Sequence, residues 1–589
     1  MSPVDPRSLK AFLQQGKALL AAGKDEDATD LAMRVVQLQE TDETKAFFVD
    51  CVKVLCWRAR VTRRDSTRVA LEIRDVIARA LRDAWATPQE FFGIAKALLR
   101  ADPVIGPAVA RATAAWPRRL SVDELATGPG LAHLATDPLL SAMLGRSSVF
   151  DLDLERFLTS LRFALLDAVM RDRSRYNDGI AELCCALGRQ CWINEYVFDV
   201  TADELARAEE LRNRITQAIK TNMAVSPAEL GLLSAYFTLS SLPQVPLLKR
   251  SWPRYVAELL REQIEAPAEQ ATLRATIPTI TPITDAISTE VRKQYEENPF
   301  PRWVALPLDR PMPPFDEWML RQFSFSKFRR LRKAAGLDIL IAGCGTGQHS
   351  LFFTQAFPDA KILAVDLSLT SLSYAKQKTQ EMGVSNIEYA QADILELGTL
   401  DRQFDVISSV GVLHHTSDPE RGWRTLLRLL QPDGCMQIGV YSERAHRYVK
   451  VVQAWLSERG FTTSVESIRR ARQELAAAST ANPLFADAFG CMDFYTTSEF
   501  RDLFRPTQML RFTIPKLRAF LIENNLEFLG FAKDEIRHQF RVRFPNQVET
   551  DLGLWDCFED ENPNTFSEMY DFWIQKKPRS RSAIEGEQP

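Results

Sequence analysis

The amino-acid sequence predicts an all-α N-terminal half followed by an α/β C-terminal domain. In roughly the first 275 residues, apolar positions recur at helical spacing, and almost no stretch has the texture of a strand. After residue 336, short runs rich in Ile and Val alternate with helix-like stretches, which is the sequence form of β-α-β units with a parallel sheet covered on both faces. These runs are LDILIAG, KILAVD, NIEYAQAD, FDVISSVG and MQIGVY.

The composition excludes several classes of protein. The chain has 589 residues, of which 46% are hydrophobic and 25% charged, so it is a folded globular protein of several domains and not a disordered one. Lys and Arg number 73 against 77 Asp and Glu, which argues against a nucleic-acid partner because such binding needs a basic excess. We find neither an apolar secretory leader nor a run of about 18 uncharged apolar residues, so we expect no membrane partner.

Cysteine usage predicts a reducing compartment. Nine cysteines without repeated spacing indicate reduced thiols and a cytoplasmic location, and we expect no bound metal. Cys184, Cys185 and Cys191 are close in sequence but form no Cys-x-x-Cys pair and have no neighbouring His. We therefore expect these three side chains to be buried as small apolar residues.

The helical half divides into two expected parts and a linker. Residues 1–60 form a helix pair, interrupted at Gly23 and Lys24, that resembles one tetratricopeptide unit, although the sequence lacks three clean copies at the period of about 34 residues. Residues 61–265 predict an α-helical domain. A protease-sensitive linker is expected at residues 266–290, because the stretch APAEQATLRATIPTITPIT loses the helical period and is rich in Thr and Pro.

Polar features fall where the predicted strands end. The first strand, Asp338–Ala342, runs directly into the turn Gly343–Gly347, whose glycines let a ligand approach the backbone without a Cβ in the way. The second strand ends in Asp366, where an acid is placed to accept two ribose hydroxyls. The third ends at Asp393, a candidate acceptor for an adenine amino group, and the fourth ends at Val410.

A dinucleotide cofactor is the competing interpretation of the glycine-rich turn. Dinucleotide-binding domains use G-x-G-x-x-G with the third glycine inside the helix, whereas Gln348 stands after G-x-G-x-G in this chain. The compact GCGTG turn suits S-adenosylmethionine, which needs no pyrophosphate cradle.

Residues 337–442 resemble the Rossmann-like core of the class I S-adenosylmethionine-dependent methyltransferases. GCGTG is similar to the first motif of that family, AVD to its ribose acid, QAD to its adenine contact, FDVISSVGVLHH to its fourth strand and LLQPDG to the turn before its fifth strand. The resemblance implies a seven-stranded methyltransferase domain with S-adenosyl-L-methionine as its cofactor. The cofactor-binding residues that it implies are Gly343, Cys344, Gly345, Thr346, Gly347, Asp366, Leu367, Asp393, Ile394 and Val410.

A wider resemblance reaches beyond this core. The segments that look like a bacterial group of tetratricopeptide-fused methyltransferases are RQCWINEYVF (189–198), VRKQYEENPFPRW (291–303), DFYTTSEFRDLF (493–504), LEFLGF (526–531) and TFSEMYDFWIQKK (565–577). In that group a His-containing stretch usually follows DLF, whereas this chain has RPTQML. The departure puts any His-dependent role of that segment in doubt.

The resemblance completes the expected topology of a methyltransferase domain over residues 291–577. Residues 526–531 form the sixth strand, and residues 569–575 form an antiparallel seventh strand between the fifth and the sixth. The intervening residues 443–512 form a helical insertion that we expect to act as a substrate lid. Residues 578–589 lack a periodic apolar pattern and are expected to be a mobile tail.

Methyl transfer needs an aligned nucleophile and, for some acceptors, a base. Our catalytic candidates are His414, His415 and Tyr295, since the His pair follows the fourth strand, where substrate and cofactor meet. The alternative for the His pair is a structural turn that hydrogen-bonds to backbone. Further candidates for the base or for the cover of the cofactor are Glu296, Trp303, Asp493 and Tyr495.

These observations predict an enzyme that transfers a methyl group from S-adenosylmethionine by in-line displacement. The helical half is expected to recruit a protein, peptide or carrier-bound substrate. One alternative is a small-molecule methyltransferase whose helical half is purely structural. The other is a non-catalytic interaction protein with a regulatory cofactor site.

Overall fold

The computed structural model describes residues 6–62, 73–171, 177–307, 312–333 and 335–578. The chain divides into two compact units. The first unit comprises Met1–Pro267, Trp303–Leu308 and Phe461–Phe500, and the second comprises Ala268–Arg302, Asp309–Gly460 and Arg501–Pro589. The expected mobile tail lies outside the described residues from residue 579 onward.

The described part of the chain before Pro267 is helical, as its apolar periodicity predicts. Local sequence fixes several of the helix ends: before the helix that begins at Ala202, the Thr201 hydroxyl accepts a hydrogen bond from Glu204 N–H and the Glu204 carboxylate accepts one from Thr201 N–H. The helices are α1 Pro6–Ala21, α2 Asp25–Leu38, α3 Asp42–Thr62, α4 Arg74–Arg82, α5 Pro88–Ala101, α6 Ile105–Ala115, α7 Val122–Leu125, α8 Gly130–Thr136, α9 Pro138–Arg146, α10 Leu152–Arg171, α11 Asp178–Ile193, α12 Ala202–Lys220, α13 Pro227–Ser234, α14 Gln244–Leu248 and α15 Arg254–Leu260.

Helix α11 carries the three clustered cysteines. Cys184, Cys185 and Cys191 are buried, as expected of small apolar residues. Burial raises the pKa of all three thiols above the ordinary range for cysteine, so they stay protonated. The tetratricopeptide character of residues 1–60 stays a prediction.

The expected linker contains more regular structure than its composition indicates. It includes α16 Ala266–Arg274 and the start of α17 Ala286–Glu297, and the extended residues between them bond to Gln391. Gln391 N–H donates to the Pro278 carbonyl at 2.8 Å, and Ile280 N–H donates to the Gln391 carbonyl at 2.9 Å. Backbone hydrogen bonds hold this segment against Gln391. The order of side chains in the sequence does not reveal such bonds, so the sequence predicts a linker here.

The α/β region then follows in the alternation that the sequence predicts. Its elements up to the fifth strand are α18 Phe315–Gln322, β1 Asp338–Ala342, α19 Gln348–Ala356, β2 Lys361–Asp366, α20 Leu369–Glu381, β3 Ile387–Gln391, β4 Phe404–Val410, α21 Pro419–Leu429 and β5 Leu430–Val440. The elements after the fifth strand are α22 Arg447–Glu458, α23 Val465–Ala478, α24 Pro483–Phe489, α25 Thr497–Phe504, α26 Ile514–Glu523, β6 Leu526–Phe531, α27 Asp534–Arg543, α28 Leu552–Glu561 and β7 Tyr570–Lys576.

The seven strands form one mixed sheet in the order β3-β2-β1-β4-β5-β7-β6. Strands β1 to β5 are parallel, and β7 runs antiparallel to both β5 and β6. Alternate residues of β1 enter two separate apolar clusters, with Leu340 in one and Ile341 in the other, so both faces of the sheet are covered. The predicted α/β class and the placement of the last two strands are confirmed.

We expect the stretch LLQPDG to be the turn before the fifth strand, but most of it lies inside that strand. Strand β5 begins at Leu430, and the register with β4 shifts inside this stretch: Phe404 pairs with Leu430, whereas Val406 pairs with Cys435. The extra residues form an irregularity within the strand, and such bulges follow backbone pairing more than local composition.

Residues 461–500 belong to the first unit, although in sequence they interrupt the α/β region. In α23, Arg472 Nη2 lies 2.6 Å from Glu155 Oε2 of α10, and each of the two residues is 1% exposed. Arg472 also donates to the carbonyls of Phe494 at 2.7 Å and Val197 at 3.0 Å. The expected insertion of residues 443–512 is thus divided, because its central part packs with the helical half.

Among the described residues, no helix has both the length and the apolar character that a membrane crossing requires.

Candidate active site

The turn after β1 contains glycines with positive φ, and a second segment crosses it closely. Gly343, Gly345 and Gly347 have φ angles of +81°, +52° and +87°, which favour glycine. A Cβ on Gly345 would lie 2.7 Å from the Phe300 carbonyl oxygen. Thr346 N–H donates to that carbonyl at 3.3 Å, and the Thr346 hydroxyl donates to the Pro301 carbonyl at 2.6 Å. We call the crossing segment, residues 294–301, the strap.

Asp366 closes one side of this turn from the end of β2. Its Oδ2 accepts a hydrogen bond from Gly345 N–H and its Oδ1 accepts one from Ser368 N–H, both at 2.9 Å. Burial raises the pKa of Asp366, although the two amides favour the charged form. Each carboxylate oxygen retains a lone pair, so the side chain can accept further hydrogen bonds from hydroxyl groups.

Asp393, which follows β3, presents a buried acceptor oxygen. Its Oδ1 accepts a hydrogen bond from Leu395 N–H at 3.0 Å, while its Oδ2 is buried and makes no hydrogen bond of normal geometry to the described residues. Burial raises the pKa of this carboxyl, against the Leu395 amide and the nearby Ser288 hydroxyl. A buried acceptor of this kind is costly unless a ligand or water completes it.

The strap also contacts the segment that follows Asp366. The Tyr295 carbonyl accepts a hydrogen bond from the Ser368 hydroxyl at 3.1 Å, and Glu296 Oε1 accepts one from Leu369 N–H at 2.7 Å. Burial and the Asp502 carboxylate together raise the pKa of Tyr295 well above its usual range, so the phenol stays neutral. The strap therefore joins the glycine turn to the loop that carries the acid.

The two histidines after β4 are in different environments. His415 Nδ1 donates to the Gln508 carbonyl at 2.7 Å, and its Nε2 lies 3.6 Å from Asp502 Oδ1. His414 is fully buried, and neither ring nitrogen has a hydrogen-bond partner among the described residues. Its ring centroid lies 4.0 Å from that of Tyr441, the residue after β5. Burial, with His415 nearby, lowers the pKa of His414 well below its usual range.

The remaining predicted positions are distributed around this edge. Cys344 is buried, and its N–H donates to the Val365 carbonyl at 2.9 Å. The Leu367 carbonyl accepts a hydrogen bond from Gln391 Nε2 at 2.9 Å. Ile394 opens a short 3-10 turn, and Val410 ends β4.

Three further candidates, Trp303, Asp493 and Tyr495, belong to the first unit. The Tyr495 hydroxyl donates to the Phe489 carbonyl at 2.8 Å, and Asp493 Oδ2 lies 2.7 Å from Cys491 Sγ. The contacts of Asp493 and Tyr495 therefore include partners within their own segment.

Sequence reasoning missed Asp502. This residue of α25 is 2% exposed and contacts two of the predicted candidates, Tyr295 and His415. The signal in the sequence is its place in the segment DFYTTSEFRDLF, whose predicted candidates are Asp493 and Tyr495. Its partners lie at distant positions in the sequence, so spacing alone does not select it.

Comparison with known proteins shows what the α/β region is similar to. Residues 339–434 match a family model described as a methyltransferase domain. The chain is 28% identical to an uncharacterized protein of Synechococcus sp. over 42% of this chain and 61% of that one. It is 27% identical to demethylmenaquinone methyltransferase of Lactococcus lactis, over 27% of this chain and 68% of that enzyme. A solved structure of PKMT2 from Rickettsia typhi with AdoHcy matches at 16% identity and a TM-score of 0.37, over 46% of this chain and 54% of that one.

The fold and the matched domain define the C-terminal part of the chain as a class I S-adenosylmethionine-dependent methyltransferase domain. Its cofactor is S-adenosylmethionine, and the residues at the sheet edge fit that molecule. Asp366 has lone pairs to spare for hydroxyls, and the buried Asp393 Oδ2 makes no hydrogen bond of normal geometry to the described residues.

Proposed function

We propose that this protein transfers a methyl group from S-adenosylmethionine to an acceptor bound beside the ends of β4 and β5. The observation that carries the proposal is the placement of Asp366, Asp393 and the glycine turn at one edge of the sheet. Ligands of open α/β sheets bind at this edge. When bound, the cofactor supplies a methyl group on a positively charged sulfur.

The residues divide into those that hold the cofactor and those that face the acceptor. Asp366 accepts hydrogen bonds from the ribose hydroxyls, and Asp393 Oδ2 accepts one from the adenine amino group. The strap excludes water from the glycine turn and keeps the cofactor aligned for displacement, which is where much of the rate of such a reaction originates.

Proton handling falls to the His pair. Both ring nitrogens of His415 are directed at acceptors, and the Tyr295 hydroxyl donates to Asp502, so neither side chain is arranged to take up a proton. Among the described residues, both ring nitrogens of His414 lack a hydrogen-bond partner, whereas His415 lacks one only at Nε2, which faces the Asp502 carboxylate. We assign it to the hydrogen bond with the nucleophilic atom of the acceptor.

The helical unit is proposed to recruit a protein, peptide or carrier-bound acceptor. Support comes from residues 461–500, which follow β5 and α22 in sequence and yet share one compact unit with the helices before Pro267. A small-molecule acceptor is the second candidate, because a relative is named for demethylmenaquinone.

One assay distinguishes these acceptors. Full-length protein is incubated with methyl-labelled S-adenosylmethionine and a lysate of its host, and label is then counted separately in protein and small-molecule fractions. The Asp366→Asn variant gives the background. We expect label in protein above that background. Label in small molecules alone replaces the recruitment proposal with the second candidate, and no label above background contradicts methyl transfer.

A further inference from the structure

Asp502 lies between the strap and the turn after β4. The Tyr295 hydroxyl donates to its Oδ1, and His415 Nε2 is 3.6 Å from the same oxygen. The carboxylate is buried, with 2% of the residue exposed. One side chain of α25 therefore contacts two segments that are more than a hundred residues apart in sequence.

The hydrogen bonds of His415 determine its protonation. A carbonyl oxygen only accepts, so Nδ1 carries the proton that it donates to Gln508. Nε2 then faces a carboxylate, and a proton on that nitrogen is favoured as well. Although burial lowers the pKa of His415, the Asp502 carboxylate and the Gln508 carbonyl together outweigh it and raise the pKa above the ordinary value.

The neighbouring imidazole has the opposite environment. The ring centroids of His414 and His415 are 4.3 Å apart, but no carboxylate in the described part of the chain bonds to His414, and its pKa is lowered by burial and by His415. Two adjacent groups whose environments move their pKa values in opposite directions take different roles.

We propose that Asp502 is a positioning residue that keeps His415 protonated and ties it to Tyr295, which leaves His414 as the imidazole of the pair that meets the acceptor. The assignment of His414 rests on the proposed function; the role of Asp502 does not. The titratable groups that face His415 are Asp502 from α25, Tyr295 from α17, Tyr441 after β5 and His414 itself.

The test is a titration of the His415 ring by NMR in the full-length protein. Histidine is labelled with ¹³C at Cε1, and the His415 signal is assigned by its loss in His415→Gln. We expect His415 to titrate above the ordinary value of about 6.5 and to move down by about one pH unit or more in Asp502→Asn. Tyr295→Phe is the matched control: it removes the hydroxyl but keeps the carboxylate, so His415 should still titrate above 6.5.

Either of two results overturns the positioning role: a wild-type His415 that titrates at or below about 6.5, or a titration that Asp502→Asn does not move. The wild-type titration tests the proposal even if Asp502→Asn fails to fold.

Failure of this inference is distinguishable from failure of the proposed function. Calorimetry with S-adenosylmethionine is run on the same preparations. If the wild-type protein neither binds cofactor nor transfers label while His415 titrates as expected, methyl transfer is contradicted and the role of Asp502 stands. If it binds and transfers but His415 does not respond to Asp502→Asn, only the positioning role is lost.

Discussion

At the residue scale, the carboxylate of Asp366 tests the cofactor site most directly. Replacing it with Asn removes the charge while keeping the shape. Because a hydrogen bond to a charged group contributes about 1.5–3 kcal/mol, we expect S-adenosylmethionine to bind roughly 10- to 150-fold more weakly, as measured by calorimetry. Asp359→Asn is the control, since that residue is exposed in the loop between α19 and β2. Equal affinity in Asp366→Asn and Asp359→Asn would contradict the assigned ribose acid.

Alanine substitutions at two glycines distinguish the effect of a steric contact from the effect of backbone strain. Gly345 and Gly383 both have positive φ, +52° and +69°, so alanine costs about 1 kcal/mol in conformation at either position. Only at Gly345 does the new Cβ meet a neighbour, the Phe300 carbonyl at 2.7 Å; at Gly383 there is nothing within 4 Å. We expect Gly345→Ala to displace the strap and weaken cofactor binding at least tenfold, and Gly383→Ala to leave affinity unchanged. Matching affinities in calorimetry would show that the strap does not matter for binding.

Which site residues could be predicted follows from how the site is encoded. Three predicted strands end in site residues, namely Gly343–Gly347, Asp366 and Asp393. Because the carboxyl ends of parallel strands lie at one edge of a sheet, their place in the sequence predicts that they lie close together. Asp502 and Gln508 reach His415 from a later segment, and no local pattern marks them. The division of labour between His414 and His415 depends on those partners and is therefore invisible in the sequence.

At the element scale, α23 is held by a buried charge pair whose loss should be costly. Arg472→Met leaves Glu155 charged, buried and without its partner, and breaking such a pair costs about 3–5 kcal/mol. We expect a clearly lower urea midpoint for the loss of helical signal. Arg470→Met is the control, because its side chain is 66% exposed and lies 3.8 Å from Glu474. A midpoint for Arg472→Met equal to that of the control would mean that the pair does not hold this segment.

Elements with a strong local signal were predicted closely, and the others were not. Runs of Ile and Val bounded by turn residues located β1 to β4, whereas the correct place of the antiparallel β7 between β5 and β6 came from the resemblance to class I methyltransferases. The bulged start of β5 and the extended residues near Pro278 depend on backbone pairing with distant strands. Amino-acid composition does not indicate such pairing. For this reason the Pro- and Thr-rich stretch within residues 266–290 has the composition of a linker.

At the scale of the whole molecule, the two units are interleaved in sequence. Residues 461–500 leave the α/β region, join the helical unit and return. Deleting the helical half therefore does more than remove a recruiting surface. It also strips the partners from Arg472 and from the apolar side chains of α23 and α24 that are buried in the intact chain.

A fragment of residues 268–589 is therefore expected to aggregate. The same fragment with residues 461–500 replaced by a short Gly-Ser linker should be monomeric and bind S-adenosylmethionine within a few-fold of the full chain, because Asp366, Asp393 and the strap are all retained. The replacement is geometrically feasible, since Ser457 Oγ and Arg505 Nη1, on either side of the excised segment, are 2.8 Å apart. Size-exclusion chromatography and calorimetry measure the two properties on the same samples. If the unmodified fragment is soluble and binds as well as the linker version, residues 461–500 do not need the helical unit, and the methyltransferase domain is independent of everything before residue 268.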